Sequence, residues 1–176
     1  MLKLSDTAFN LTKEYDITIR GSYLRFSAHL EGVMTKYIIY LNEIKIKRFK
    51  KDDPIDFSNF MFGTKTKKFT ELLQLIYIDL YEMNQKLLDK IWEFKEIRNK
   101  IAHCYFEWDE ADLSYVTIWD LENKKATPQR IIPSKYSIVE IQNKLNNFKI
   151  AIIHDFNILA SELLKRAQLE IPYLFE

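Results

Sequence analysis

A run at positions 98–106, RNKIAHCYF, combines side chains that can bind a phosphate and move a proton. Arg98 offers a planar fork of donors that matches phosphate oxygens. The imidazole of His103 can accept and donate a proton during a reaction. The pair suits cleavage of an RNA phosphodiester, in which the 2′-hydroxyl attacks phosphorus and arginine stabilises charge on the phosphoryl oxygens. This chemistry needs no metal, and the sequence predicts neither a metal site nor a cofactor.

The spacing of these residues on a helix predicts a site shared between two chains. Asn99 and His103 are four residues apart on one helix face, so we expect the amide of Asn99 to hydrogen-bond the imidazole. Arg98 and His103 are separated by about 140° around the axis and about 7.5 Å along it. A twofold axis would bring each histidine toward the arginine of the other chain, which predicts a homodimer. Alternatively, the helix dipole alone explains two basic residues at a helix end.

The composition predicts a helical protein with one ordinary core. Of the 176 residues, 47% are hydrophobic, while glycine occurs three times and proline four times, which disfavours a turn-rich β architecture. The net charge of +1 indicates no class of partner. Cys104 is the single cysteine, so no intrachain disulfide can form. Without a recognisable signal peptide or membrane-spanning stretch, we expect a cytoplasmic protein that does not bind a membrane.

Three long helices should position the site. The first is predicted from Ile17 to about Leu41, with Asp16 as its cap. The second extends from Phe69 to His103, as one helix or as two with a bend near Asn84. The third is predicted over 138–167. Its capping box would consist of Ser137 and Glu140. The apolar stripe predicted for the first helix consists of Ile17, Leu24, Ala28, Met34, Ile38 and Leu41, with Gly21 among them.

An insertion at 107–134 interrupts the helical pattern before the last long helix. Its segment SYVTIW, at 114–119, has the β-branched and aromatic residues of a strand and predicts a small β-hairpin or an ordered loop. We therefore predict one all-α domain over 1–176, an antiparallel up-and-down helical bundle with this β-hairpin-like insertion.

A basic loop predicted at 45–68 is a candidate RNA-binding surface. It holds eight basic residues against three aspartates, and its interleaved phenylalanines can stack on unpaired bases. An equally good interpretation is a solvated loop whose phenylalanines hold it against the bundle. The basic residues are Lys45, Lys47, Arg48, Lys50, Lys51, Lys65, Lys67 and Lys68.

The arginine, the polar residue after it and the histidine late in a long helix resemble the signature of the HEPN superfamily. The segment His103-Cys104-Tyr105 is also similar to the histidine-x-tyrosine extension of HEPN toxins. The resemblance implies a homodimeric, metal-independent endoribonuclease with Arg98, Asn99 and His103 at its site, serving as a toxin or in defence against phage. It also implies that a nucleotidyltransferase-type antitoxin modifies Tyr105. Two alternatives stay open: a non-catalytic HEPN-like module that binds nucleotide, RNA or a partner, and an unrelated helical interaction protein.

Overall fold

The protein is mostly helical, with one small sheet. The computed structural model describes residues 6–50, 55, 61–103, 105–109, 111–121 and 131–175. The elements, in chain order, are α1 (Asp6–Phe49), α2 (Phe62–Ile76), α3 (Ile78–Met83), α4 (Gln85–His103), β1 (Tyr105–Trp108), β2 (Tyr115–Leu121), β3 (Ile131–Ser137), α5 (Ile138–Glu170) and a 3₁₀ turn (Pro172–Leu174). Among the described helices, none is long and apolar enough to cross a membrane. The predicted helical class with a small β element is confirmed.

Two compact units divide the chain, and each is described by itself. The first unit consists of Met1–Phe26 and Glu96–Asn147, and the second of Ser27–Lys95 and Phe148–Glu176. The predicted site residues Arg98, Asn99 and His103 therefore belong to the first unit. The described basic residues of the segment 45–68 belong to the second.

The sheet of the first unit has three antiparallel strands in the order β1-β2-β3. Phe106 lies opposite Ile118 and Trp108 opposite Val116, and Phe106, Ile118 and Val116 are buried. Of the two alternatives predicted around 114–119, a β-hairpin and an ordered loop, the structure has the β element, with β2 over Tyr115–Leu121. The β element is larger than the predicted hairpin, because its first strand begins at Tyr105, directly after the residue that follows α4.

A capping box starts α5, as predicted. The backbone N–H of Glu140 donates to Ser137 Oγ at 3.0 Å, and the backbone N–H of Ser137 donates to Glu140 Oε2 at 2.9 Å. These two bonds satisfy amides that lack a partner within the helix. All apolar residues predicted for its buried face are buried: Ile141, Leu145, Phe148, Ile152, Phe156, Leu159 and Leu163.

The predicted second helix is divided into α2, α3 and α4. Of the two alternatives left open, one helix or two with a bend near Asn84, the structure has a break at Asn84, where Asn84 Nδ2 donates to the carbonyl of Leu80 at 2.8 Å. A second break at Tyr77 was not predicted, and α2 begins at Phe62 rather than at Phe69. Within the second unit the ring centroids of Phe69 and Phe156 are 5.7 Å apart, which ties α2 to α5.

The first helix is longer than predicted, and its buried face is partly different. Asp16 lies inside α1 and is paired with Arg20, so the prediction that it caps the helix is wrong. Met34, Ile38 and Leu41 are buried as predicted. In contrast, Ile17 and Leu24 are 62% and 39% exposed, and Ala28 is exposed too. The first unit instead buries Ile19, Tyr23 and Phe26 of α1.

Candidate active site

Arg98 and His103 lie in the last turns of α4. His103 is the final residue of the helix, and its side chain is exposed. Arg98 is half-buried. The carbonyl groups at this helix end favour positive charge, which suits both side chains. An exposed imidazole at the end of a helix is accessible to a ligand.

Asn99 contacts Arg98 rather than His103. The guanidinium of Arg98 donates from Nη1 to Asn99 Oδ1 at 3.1 Å. Within the described part of the chain His103 forms no hydrogen bond, so the expected bond between Asn99 and the imidazole is not present. Asn99 therefore orients the arginine, and the imidazole is left exposed.

Arg98 also holds one donor without a partner. Its Nε is buried and has no hydrogen-bond acceptor among the described residues. A buried donor left unsatisfied costs about 1–3 kcal/mol. A rotamer that moves this guanidinium toward an anion would recover that energy, because charge-assisted bonds to phosphate or carboxylate oxygens are strong.

Arg20 of α1 holds the chain on both sides of His103. Its Nη1 donates to the backbone carbonyl of Ile101 at 2.7 Å, and its guanidinium carbon lies 4.1 Å from the ring centroid of Phe106. Its Nε donates to Asp16. The carbonyl of residue 101 is one of the last four in the helix, which lack partners inside it. Arg20 thus fixes the end of α4 and the start of β1.

Sequence reasoning missed Arg20 as a site residue. The spacing of four between Asp16 and Arg20 is a local signal for an ion pair on one helix. The contact with Ile101 joins residues that are 81 positions apart, so the sequence around Arg20 does not predict it.

Tyr105, the predicted modification site, opens β1. Its Cα lies opposite that of Trp119 in the sheet ladder. It follows His103, the last residue of α4, by two positions. Cys104 and the side chain of Tyr105 lie outside the described residues.

The predicted basic loop is largely helical. Lys45, Lys47 and Arg48 are in the last turns of α1, and Lys65, Lys67 and Lys68 are in α2. The prediction of a loop is wrong for these residues, because the first helix extends past Leu41 and the next begins before Phe69. Lys50 is exposed at the end of α1, and Lys51 lies outside the described residues.

Arg48, one of these basic residues, forms hydrogen bonds with other residues of the second unit. Its Nε donates to Glu170 Oε2 at 2.8 Å, and its Nη1 donates to the carbonyl of Ile76 at 2.8 Å. Lys47 donates to the backbone carbonyl of Glu170. The hydrogen bond from Arg48 lowers the pKa of the Glu170 carboxyl, which also accepts from the Tyr77 hydroxyl at 2.6 Å. Desolvation by burial raises the pKa of Tyr77.

Two lysines of α2 also lie close to carboxylates. Lys65 Nζ is 3.4 Å from Glu31 Oε2, and Lys67 Nζ is 3.8 Å from Glu71 Oε1. The second pair is largely exposed and contributes little to stability. Because several of the eight basic side chains lie beside carboxylates or donate to carbonyl groups, fewer than eight are left to bind RNA phosphates.

Comparison with protein-family models, curated proteins and solved structures finds no match to this chain. The resemblance to the HEPN superfamily therefore rests on the residues at 98–105 and on their place at the end of a helix.

Proposed function

We propose that this chain is a metal-independent endoribonuclease of the HEPN type, with a HEPN-like helical bundle as its fold. The observation that carries the proposal is the exposed His103 at the end of α4, five residues after a half-buried Arg98. Proton transfer requires an accessible imidazole. A guanidinium that has a buried N–H without an acceptor is well suited to bind a phosphate oxygen. Both features are present in one helix end.

In the proposed reaction each residue has one role. The imidazole of His103 accepts the proton of the 2′-hydroxyl as its oxygen attacks phosphorus. The bond to the 5′-oxygen of the next nucleotide breaks, and this leaving oxygen takes a proton from a protonated imidazole of the dimer or from water, so that the proton count is unchanged overall. The guanidinium of Arg98 neutralises charge on the phosphoryl oxygens. Asn99 holds Arg98 through the bond at 3.1 Å. The products are a 2′,3′-cyclic phosphate and a 5′-hydroxyl, and no water is consumed in this step.

The proposed working unit is a homodimer with a composite site. Because Arg98 and His103 lie about 140° apart around the helix, one chain alone does not aim both at one phosphate. A second copy would supply the missing residue. As a cytoplasmic toxin or phage-defence effector, the protein would pair with a nucleotidyltransferase-type antitoxin that modifies Tyr105.

A non-catalytic HEPN-like module that binds RNA, nucleotide or a partner is the alternative. It would be favoured if His103 were buried against its own chain. The exposure of the side chain favours cleavage instead.

Cleavage of a fluorescent single-stranded RNA in the presence of EDTA tests the proposal. We expect cleavage by the wild type and its loss in both His103→Ala and Arg98→Ala, with folding and oligomeric state unchanged. His29→Ala and His154→Ala are the matched controls, because both histidines are exposed on helices and should not affect the rate.

Three results would overturn the assignment. Equal cleavage by wild type and both variants would point to a contaminant or to another site. Loss of cleavage in the control variants would remove the special role of His103. No cleavage of any tested RNA by the wild type would favour the non-catalytic module.

A further inference from the structure

The face of α1 that points away from the core of the first unit carries an apolar stripe. Ile17 is 62% exposed and Leu24 is 39% exposed. With Gly21 between them, the spacing of four and three places all three on one side of the helix. The opposite side of the helix holds the buried residues Ile19 and Phe26. Exposed apolar residues grouped in this way are typical of an interface.

Gly21 leaves room over the middle of this stripe. A Cβ placed on it would meet no atom within 4 Å apart from its own helix and chain neighbours. Glycine inside a helix costs about 0.5–1 kcal/mol relative to alanine. No contact within the first unit offsets this cost, but a second helix could approach the bare backbone closely.

Charges of opposite sign flank the stripe on one side. Glu14 and Arg25 are both exposed, and within the described part of the chain neither forms an ion pair. They are 11 residues apart, which is about three helical turns, so they project from nearly the same side of α1. An antiparallel copy of the same helix would place each Glu14 beside the Arg25 of the other chain.

We infer that this stripe is the surface through which a second copy of the chain docks. A twofold axis near Gly21 would pack Ile17 of each chain against Leu24 of the other and would form two Glu14–Arg25 pairs. Such a contact is self-complementary, as a twofold dimer requires. The occupant is a second copy rather than another protein because the stripe and its flanking charges complement themselves.

The inference deepens the proposed function and rests on it for its biological meaning. Arg20, the residue before Gly21, donates to the carbonyl of Ile101 near the end of α4. The docking surface therefore belongs to the helix that contacts the segment carrying His103. Pairing two α1 helices brings two such segments to one dimer, as the composite site needs.

Light scattering coupled to size exclusion tests the surface. We expect a dimer for the wild type and half that mass for Ile17→Arg and for Gly21→Arg. The second variant should fold at least as well as the wild type, because the space is open and glycine disfavours a helix. Ile158→Arg is the matched control, since Ile158 is 60% exposed on α5 in the second unit, and it should remain dimeric.

A charge exchange tests the pairing. Glu14→Arg and Arg25→Glu should each weaken the dimer, and the double exchange should restore it. Gly21→Cys, in a chain with Cys104→Ser, should form a disulfide-linked dimer on mild oxidation, while Gly32→Cys should not.

A monomeric wild type would overturn the inference, and so would Ile17→Arg and Gly21→Arg proteins that stay dimeric. If these variants disrupt the dimer but the wild type cleaves no RNA, the proposed interface is supported and the proposed ribonuclease activity is refuted. Full cleavage by a monomeric Ile17→Arg protein would refute the link between this interface and the site.

Discussion

Arg20 and Ile101 are joined by a hydrogen bond of 2.7 Å between α1 and the last turn of α4. The same guanidinium lies over the ring of Phe106 at the start of the sheet. One side chain thus fixes the residues on both sides of His103. If His103 is catalytic, Arg20 is a positioning residue that holds the backbone on both sides of His103 without touching the substrate.

Arg20→Met should destabilise the protein by about 1–3 kcal/mol, because the carbonyl of Ile101 loses a charged donor. Methionine keeps the apolar part of the side chain, so lost packing contributes little. Urea unfolding measures the loss of stability. Hydrogen exchange should speed up most at the amides near the end of α4.

The same variant should lower kcat of RNA cleavage more than it changes KM, since the substrate contacts stay intact. Lys13→Ala, which removes an exposed charge from the same helix, is the control and should have no effect. An Arg20→Met protein with normal kcat and slow exchange near residue 101 would contradict the positioning role.

The capping box of Ser137 and Glu140 should stabilise the first turn of α5. Ser137→Ala should cost about 1 kcal/mol, because the first turn of α5 loses the acceptor for the amide of Glu140. Ser137→Thr should retain most of that energy. Ser161 is an exposed serine inside the same helix, and its hydroxyl donates to the carbonyl of Asn157 one turn earlier at 2.8 Å. Because that carbonyl already belongs to the helix and alanine favours a helix, Ser161→Ala should be close to neutral. Equal losses at residues 137 and 161 in thermal unfolding would rule out a specific cap.

The success at α5 and the errors at α1 have one physical explanation. The cap at Ser137 and the stripe of α5 are local patterns, and tertiary contacts do not oppose them. On α1, apolar residues occupy two faces, so periodicity alone does not determine which face is buried. The contacts of Ile19 and Tyr23 with the rest of the first unit decide this, and they leave Ile17 and Leu24 exposed.

At the candidate site, too, features that follow from local sequence patterns were predicted, and features that depend on other contacts were missed. The place of Arg98 and His103 at the end of a helix followed from the change of periodicity after Tyr105. The break at Tyr77 has neither glycine nor proline to signal it, and it was missed. The bond from Arg98 to Asn99 depends on the rotamers of two adjacent side chains, which spacing does not specify.

Stability in acid should depend on Glu170. Hydrogen bonds from Arg48 hold its pKa in the folded protein below the ordinary value of 4.5. Its stabilising contribution is therefore complete above that value and is lost as the pH falls through the lowered pKa. Glu170→Gln should be less stable than the wild type at neutral pH, and the difference should shrink toward about pH 3.

Urea unfolding of both proteins across this range measures the effect. Glu82→Gln is the control, because Glu82 is exposed and within the described residues makes no ion pair. A difference between the wild type and Glu170→Gln that stays constant with pH would show that the carboxylate does not contribute through its charge.

Lys50 directly follows α1 and has a backbone φ of 50°, a left-handed conformation that favours glycine. Lys50→Gly should stabilise the protein by about 0.5–1 kcal/mol, after the greater freedom of glycine in the unfolded chain is subtracted. Lys50→Ala retains the strained conformation and should not stabilise. If both variants raise the urea midpoint equally, removal of the charge is responsible.

Mixing two inactive variants tests whether the site is composite. Arg98→Ala and His103→Ala proteins are combined, dissociated and reassembled, and cleavage of RNA is measured in EDTA. Random pairing makes half of the dimers mixed, and each mixed dimer would hold one intact site of two. We predict recovery of about a quarter of the wild-type activity. A mixture that forms mixed dimers and stays as inactive as its components would contradict a site shared between the chains.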